Sequence, residues 1–145
     1  MSNPLSMGKG YVWRRIKYTS LNARQKENYN FHKLAALLAD YGFSSIWLSD
    51  DWQGADLLAV HIDGATTLRI QLKGRCAFHK KYLKKGIYIA FPVSDRWCVF
   101  PHDEVLNEVI ALGMMVHSDS WSIRGSYSFS RISSRLGDVL EPYMI

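Results

Sequence analysis

The chain has 145 residues, 48% hydrophobic and 21% charged, which supplies one compact domain with a core and leaves too little length for two ordinary ones. No apolar run reaches the roughly 20 residues a membrane span needs, and Met1–Gly10 lacks the hydrophobic stretch of a secretory signal, so the expectation is a cytoplasmic protein with no membrane partner. Lys and Arg exceed Asp and Glu by 18 to 13, while two cysteines, Cys76 and Cys98, exclude a disulfide framework and a zinc cluster and read as reduced, structural thiols.

The first predicted element is a helix from Asn22 to Tyr41. Phe31, Leu34, Ala35 and Leu38 recur at helical spacing, Asn22 and Gln25 have the spacing of an N-terminal cap, and Gly42 supplies the stop. Phe43–Leu48 reads as a short strand, followed by a turn-prone loop over residues 49–54. Ala55–Ile62 and Thr66–Leu72 flank Asp63-Gly64 and read as a β-hairpin whose apolar face carries Leu57, Ala59, Leu68, Ile70 and Leu72. Two more strands are expected over Gly86–Pro92 and Trp97–Phe100. A helix is predicted over Asp103–Leu112, ended by Gly113, and a weaker one over Arg131–Leu140, interrupted by Gly137. Residues 114–130 carry no readable pattern. The order predicts an α/β fold, a mixed sheet with helices packed on it. We divide the single expected domain into a basic N-terminal segment (1–21), a core (22–112) and a C-terminal extension (113–145).

Charge is informative in its layout. Up to residue 33, Lys9, Arg14, Arg15, Lys17, Arg24, Lys26 and Lys33 face one acid, Glu27; over residues 69–85, Arg69, Lys73, Arg75, Lys80, Lys81, Lys84 and Lys85 face none. A charge run is usually a solvated face, but aromatics interleave both stretches (Tyr11, Trp13, Tyr18; Phe78, Tyr82), a combination suited to nucleic acid.

One constellation carries chemistry. With a two-residue turn at Asp63-Gly64, Ile62 pairs with Ala65, Asp56 stands opposite Gln71, and Lys73 follows on the same face. Such neighbours lie roughly 5 to 8 Å apart, close enough for a carboxylate, an amide oxygen and an ammonium to share one metal-bound phosphate. A three-residue turn would instead set Asp56 opposite Leu72 and turn Asp56 and Gln71 to opposite faces. Glu27, one helical turn before Phe31, is read as an acid on the stripe aimed toward the core, although the helix macrodipole by itself accounts for an acid near that terminus.

Asp56, then Gln71-Leu72-Lys73, preceded by Glu27 on a helix closing with Gly42-Phe43, resembles the PD-(D/E)XK nuclease superfamily. Gln71 in place of the usual acid is similar to the branch with group I intron-associated homing endonucleases, and the helix ending in Gly-Phe is similar to that of archaeal Holliday-junction resolvases. The resemblance covers roughly residues 22 to 105, and two departures stand out: Gly54-Ala55 replaces the Pro expected before Asp56, and Gln71 is neutral.

The resemblance implies a restriction-endonuclease-like fold and an Mg²⁺-dependent DNA endonuclease of homing, restriction or junction-resolving type, with Mn²⁺ as the alternative ion. Carried over, it makes Asp56, Gln71 and the Leu72 carbonyl metal ligands, Glu27 an outer or second-metal ligand, and Lys73 the group that orients water and stabilises charge on the phosphorus oxygens. Gln71 leaves such a site one negative charge short, with Glu27, Asp50 or Asp51 available to compensate. Arg75, Lys80, Lys81, Lys84 and Lys85, with Arg14 and Arg15, would hold the phosphate backbone, and a homodimer or tetramer would cut both strands. The alternative is a nucleic-acid-binding module of the same fold without chemistry. RNA is a further target that backbone electrostatics admit.

Other motifs read blandly. His32, His61, His79, His102 and His117 lack metal-ligand spacing and are read as surface or satisfied core histidines. Gly8-Lys9-Gly10 is too short for a phosphate loop, no Ser sits in a nucleophile elbow, and Trp52 is read as a core cap before a base-stacking platform.

Overall fold

The computed structural model describes residues 10–145, apart from the side chains of Asp51 and Trp52. Lys9, most of Gly8-Lys9-Gly10 and the expected roles of Asp51 and Trp52 therefore lie outside the described residues. The chain forms two compact units, one ending at Asn30 and one spanning Phe31–Ile145.

In the N-terminal unit a 3-10 turn, Tyr18–Ser20, precedes α1 (Ala23–Ala39), which runs on into the second unit. The expected cap is a reciprocal one: Gln25 N–H donates to Asn22 Oδ1 at 2.8 Å, and Asn22 N–H donates to Gln25 Oε1 at 2.9 Å. Tyr18 is held by the Asn30 amide at 2.9 Å, by the edge of Tyr29, and by the Lys26 ammonium 5.4 Å above its ring. Arg14, Arg15 and Glu27 are all exposed in this unit. The apolar stripe of α1 thus begins at Phe31, and Glu27 is not aimed at a core. A carboxylate at this early turn keeps its water while answering the helix dipole.

The second unit is α/β, a five-stranded mixed sheet flanked by helices. Its strands are β1 (Phe43–Trp52), β2 (Ala55–His61), β3 (Thr67–Leu72), β5 (Ile87–Val93) and β6 (Arg96–Pro101), hydrogen-bonded in the order β1-β2-β3-β5-β6. All neighbours are antiparallel except β3 and β5, which run parallel. A parallel pair needs a crossover, and residues 73–86 provide it with a short strand β4 (Ala77–His79) and a 3-10 turn, Lys80–Tyr82. After the sheet come α2 (His102–Ala111), α3 (Asp119–Ser122), β7 (Ser126–Ser128) and α4 (Ser134–Leu140), and β7 pairs with β4 outside the main sheet.

Strand alternation divides the core in two. Leu57, Ala59, Ile70, Ala90 and Trp97 pack with Leu34 and Leu38 of α1, while Ile87, Ile89, Phe91 and Phe100 pack with α2 (Val105, Leu106, Val109), Phe78, Trp121 and α4 (Leu136, Leu140). Each fully buried Leu, Ile or Phe contributes about 1.5–3 kcal/mol, so both sheet faces are needed. Cys76 and Cys98 are free and buried in the second cluster, and burial pushes the Cys98 thiol up to about 12, in keeping with structural thiols.

Two local expectations are corrected. The loop expected over 49–54 is strand as far as Trp52, with the reversal confined to Gln53 (φ 52°) and Gly54 (φ 88°). Polar Ser49 and Asp50 can stay in a strand because β1 lies at the sheet edge, where both remain exposed. The segment 114–130, unreadable in sequence, supplies α3 and β7, whose partner strand lies about fifty positions earlier.

Candidate functional site

The hairpin register decides which side chains meet. Leu57 stands opposite Ile70, Leu58 opposite Arg69, Ala59 opposite Leu68 and Val60 opposite Thr67. One further step sets Asp56 opposite Gln71, as the two-residue-turn reading requires, with Lys73 next on that face. The turn itself is wider than expected. The last backbone pair is His61 N–H to Thr66 C=O at 2.9 Å, leaving four residues in the loop, and the symmetric widening preserves the register.

Asp56 is half-buried, and its Oδ2 accepts the N–H of Leu72 at 3.0 Å, lacing the open end of the hairpin. Across from it β1 is irregular. Trp47 pairs with Leu57 and Trp52 with Ala55, so residues 48–51 arch away where Asp56 would otherwise meet a regular neighbour. Asp50 is exposed on this arch. Lys73 keeps its backbone in the sheet through Ala90 C=O at 2.9 Å, while its ammonium lies 5.5 Å from the ring centre of buried Tyr82. The sheet thus brings Asp56, Gln71 and Lys73 to one place. Glu27 belongs to the other unit and is exposed there.

A cleft of about 430 Å³ begins at Lys73, lined by Arg75, His79, Tyr82, Ser126 and Ser128 among others. Its far wall is β7, held against β4 with Tyr127 opposite Phe78. Lys80, Lys81, Lys84 and Lys85 are exposed along the same crossover. The Lys81 ammonium sits 5.3 Å from the Tyr82 ring centre and the Lys80 ammonium 5.2 Å from that of Trp121, so aromatic faces hold two of these cations in place. Arg69 donates to the Lys85 carbonyl at 2.9 Å, tying β3 to the end of the crossover.

Behind the cleft runs a chain of histidines that sequence reading passed over individually. His102, at the start of α2, is fully buried; its Nε2 accepts the N–H of His79 at 3.1 Å and its Nδ1 lies 2.8 Å from Asp103 Oδ1. Asp103 Oδ2 accepts the N–H of Lys84 at 2.9 Å, and His79 Nδ1 accepts that of Lys81 at 3.0 Å. Burial holds His102 below its ordinary value despite the carboxylate beside it, so the ring is neutral with its proton on Nδ1. Asp103 is partly buried, yet the His102 and Lys84 bonds keep its carboxyl below the usual range. His102 is thus a satisfied core histidine, as expected, and its bond to His79 is the part no spacing rule could reveal.

Among the described residues no three His, Cys, Asp or Glu gather in a way that could hold a metal ion. The oxygen donors at the open end of the hairpin are of another kind: one carboxylate (Asp56), one amide (Gln71) and the backbone carbonyl of Leu72. All three are hard donors that suit Mg²⁺, an ion that keeps several waters and accepts few protein ligands.

No protein-family model matches the chain, and no curated protein matches it. Among solved structures, that of Hjc, a Holliday junction resolvase from the archaeal hyperthermophile Archaeoglobus fulgidus, superposes with a TM-score of 0.42 at 19% sequence identity, covering 52% of this chain and 72% of that one.

Proposed function

We propose that this protein is a metal-dependent nuclease that hydrolyses phosphodiester bonds of DNA. The observation that supports the reading is the hairpin register, which sets Asp56 opposite Gln71 with Lys73 next on that face, Lys73 also lining a cleft together with Arg75. In this reading Asp56, the Gln71 amide oxygen and the Leu72 carbonyl would hold Mg²⁺ or Mn²⁺, which when bound would acidify a water for attack on phosphorus. Lys73 orients that water by hydrogen bonding and offsets the negative charge that builds on the phosphate oxygens. The Asp56 bond to Leu72 N–H keeps the carboxylate from swinging away, because one oxygen is anchored to the strand that carries Gln71. Lys80, Lys81, Lys84, Lys85 and Arg75 contact the phosphate backbone and set a salt-dependent affinity.

Purified protein with Mg²⁺ is expected to nick or cut DNA, and Asp56→Ala and Lys73→Ala each to abolish this; cutting retained by both variants would remove the proposal. Hydrolysis of both strands calls for two sites, so a homodimer is part of the reading, and a monomer mass in light scattering at working concentration would count against it.

A second reading, a DNA-binding module without chemistry, is favoured by one observation: among the described residues, no three His, Cys, Asp or Glu gather in a way that could hold a metal ion. Tight DNA binding with no uptake of Mg²⁺ or Mn²⁺ in calorimetry is the result that would select it.

A further inference from the structure

The cleft beyond Lys73 contains a group that the nuclease reading leaves unused. His79 lies on its wall at the end of β4, half-buried, its ring 5.9 Å from that of Tyr82, which also lines the cleft. Its Nδ1 accepts the N–H of Lys81 at 3.0 Å. An imidazole that accepts at Nδ1 carries its proton at Nε2, so the neutral ring has a fixed tautomer, with a donor at the far edge. No hydrogen bond to that Nε2 is made among the described residues.

Three backbone anchors hold the ring still. The N–H of His79 itself is bonded to the buried His102 Nε2, the N–H of Lys81 to His79, and the N–H of Lys84 to Asp103, which also holds His102. A buried polar side chain such as His102 costs stability unless satisfied, and here both of its nitrogens serve the corner that carries His79. Gly125 supports the same corner from the other wall: its carbonyl accepts the N–H of Lys80 at 2.8 Å, and its Cα, free of a side chain at φ 76°, admits the Lys80 stem. The corner is built to a fixed shape, whereas a merely solvated lysine run needs no such anchoring.

Charge defines the ligand. Lys73 and Arg75 line the same cleft, Ser126 and Ser128 add hydroxyls, and no carboxylate among the described residues lines it. Cations, hydroxyls and one neutral N–H donor are the groups that receive a phosphodiester oxygen.

We infer that the cleft beyond Lys73 is a second phosphodiester subsite, in which His79 donates its Nε2–H to a phosphate oxygen of the strand while Lys73 and Arg75 balance the charge. The inference rests on the nuclease reading for the identity of the strand, but the contact itself requires no catalysis. Burial, then the charges of Lys81 and Lys73, hold the His79 ring below its ordinary value, so it serves as a neutral donor at physiological pH. His102 is a positioning residue in this arrangement, acting through the backbone of His79.

The test uses the full chain in EDTA, where cleavage cannot contribute, titrated with a fluorescein-labelled DNA oligonucleotide. His79→Ala is expected to weaken binding about tenfold, the size of one hydrogen bond to a charged group. His79→Gln, which keeps an N–H donor at similar reach, is expected to restore most of the loss. An oligonucleotide with uncharged methylphosphonate linkages should erase the difference between wild type and His79→Ala. In the wild-type protein, imidazole ¹⁵N spectra should show the Nε2–H tautomer of His79 and a shift of that resonance on saturation with DNA. Unchanged affinity in a folded His79→Ala protein, or an unmoved Nε2 resonance, would overturn the subsite. Cleavage that depends on Asp56 and Lys73 with His79 silent removes the subsite alone. A His79 contact in a protein that never cuts removes the nuclease reading alone.

Discussion

The two ends of one hairpin, β2–β3, each carry an aspartate, and the structure uses them in opposite ways. At the turn, exposed Asp63 is consumed by its own loop. One oxygen accepts the N–H groups of Ala65 and Thr66, both at 2.8 Å, and the other accepts the Thr66 hydroxyl at 2.7 Å. The Ala65 N–H, then the Thr66 N–H and hydroxyl, hold its carboxyl at about 2, well below 3.8. At the open end, Asp56 accepts the N–H of Leu72 from the neighbouring strand, opposite an irregular stretch of β1. The same residue type closes a turn when its donors lie two and three positions away, and ties two strands together when its donor comes from the neighbouring strand. Sequence spacing identifies the first situation; only register identifies the second.

That contrast can be broken most forcefully at the open end. Under the nuclease reading, Lys73→Ala and Asp56→Ala are expected to lower the cleavage rate by about 10²–10³-fold or more, whereas Asp63→Ala leaves the rate unchanged. Equal losses at all three positions would mean the hairpin is simply fragile. Gln71→Glu sharpens the same point. Restoring the missing charge should lower the Mg²⁺ concentration for half-maximal activity by about tenfold, and an unchanged metal requirement would show that Gln71 is not a ligand.

The buried histidine sets the next scale. His102→Leu strands the N–H of His79 and the Asp103 carboxylate, and should cost about 2 kcal/mol in denaturant unfolding, with DNA affinity falling through the displaced His79. His102 and His79 both bind a proton less readily folded than unfolded. Their contribution to stability is therefore complete above the ordinary value of 6.5 and is lost as pH falls through 6.5 toward the lower folded values. Melting temperatures should drop between about pH 7.5 and pH 5.5 in the wild type and drop less in His102→Leu, across the histidine range. Smallest is the turn: Asp63→Asn should give a slight fall in melting temperature with DNA binding intact. The Asp63 contribution is present above 3.8 and fades as pH falls toward about 2.

Much of the fold was legible because its determinants are close in sequence. The Asn22/Gln25 cap, the stop at Gly42 and the alternation through Leu57, Ala59, Leu68 and Ile70 each depend on neighbours within a few positions. The expected helices reappear as α1, α2 and α4, and the hairpin register matches because a four-residue loop centred on Asp63-Gly64 keeps the same symmetry as a two-residue turn. Glu27 shows the limit of periodicity. It falls on the apolar stripe by spacing yet is exposed, because the stripe buries only from Phe31 onward.

By itself, then, the amino-acid sequence determined α1, α2 and α4, the presence of the hairpin, and the two basic stretches, since these follow from periodicity, capping and charge, which act locally. Tertiary structure alone decided that β7 walls a cleft against β4, that β1 arches away from Asp56, and that His102 grips the backbone of His79. Those contacts join residues up to 51 positions apart through hydrogen bonds whose partners no local pattern specifies. Their energy appears only once the sheet has brought the segments together.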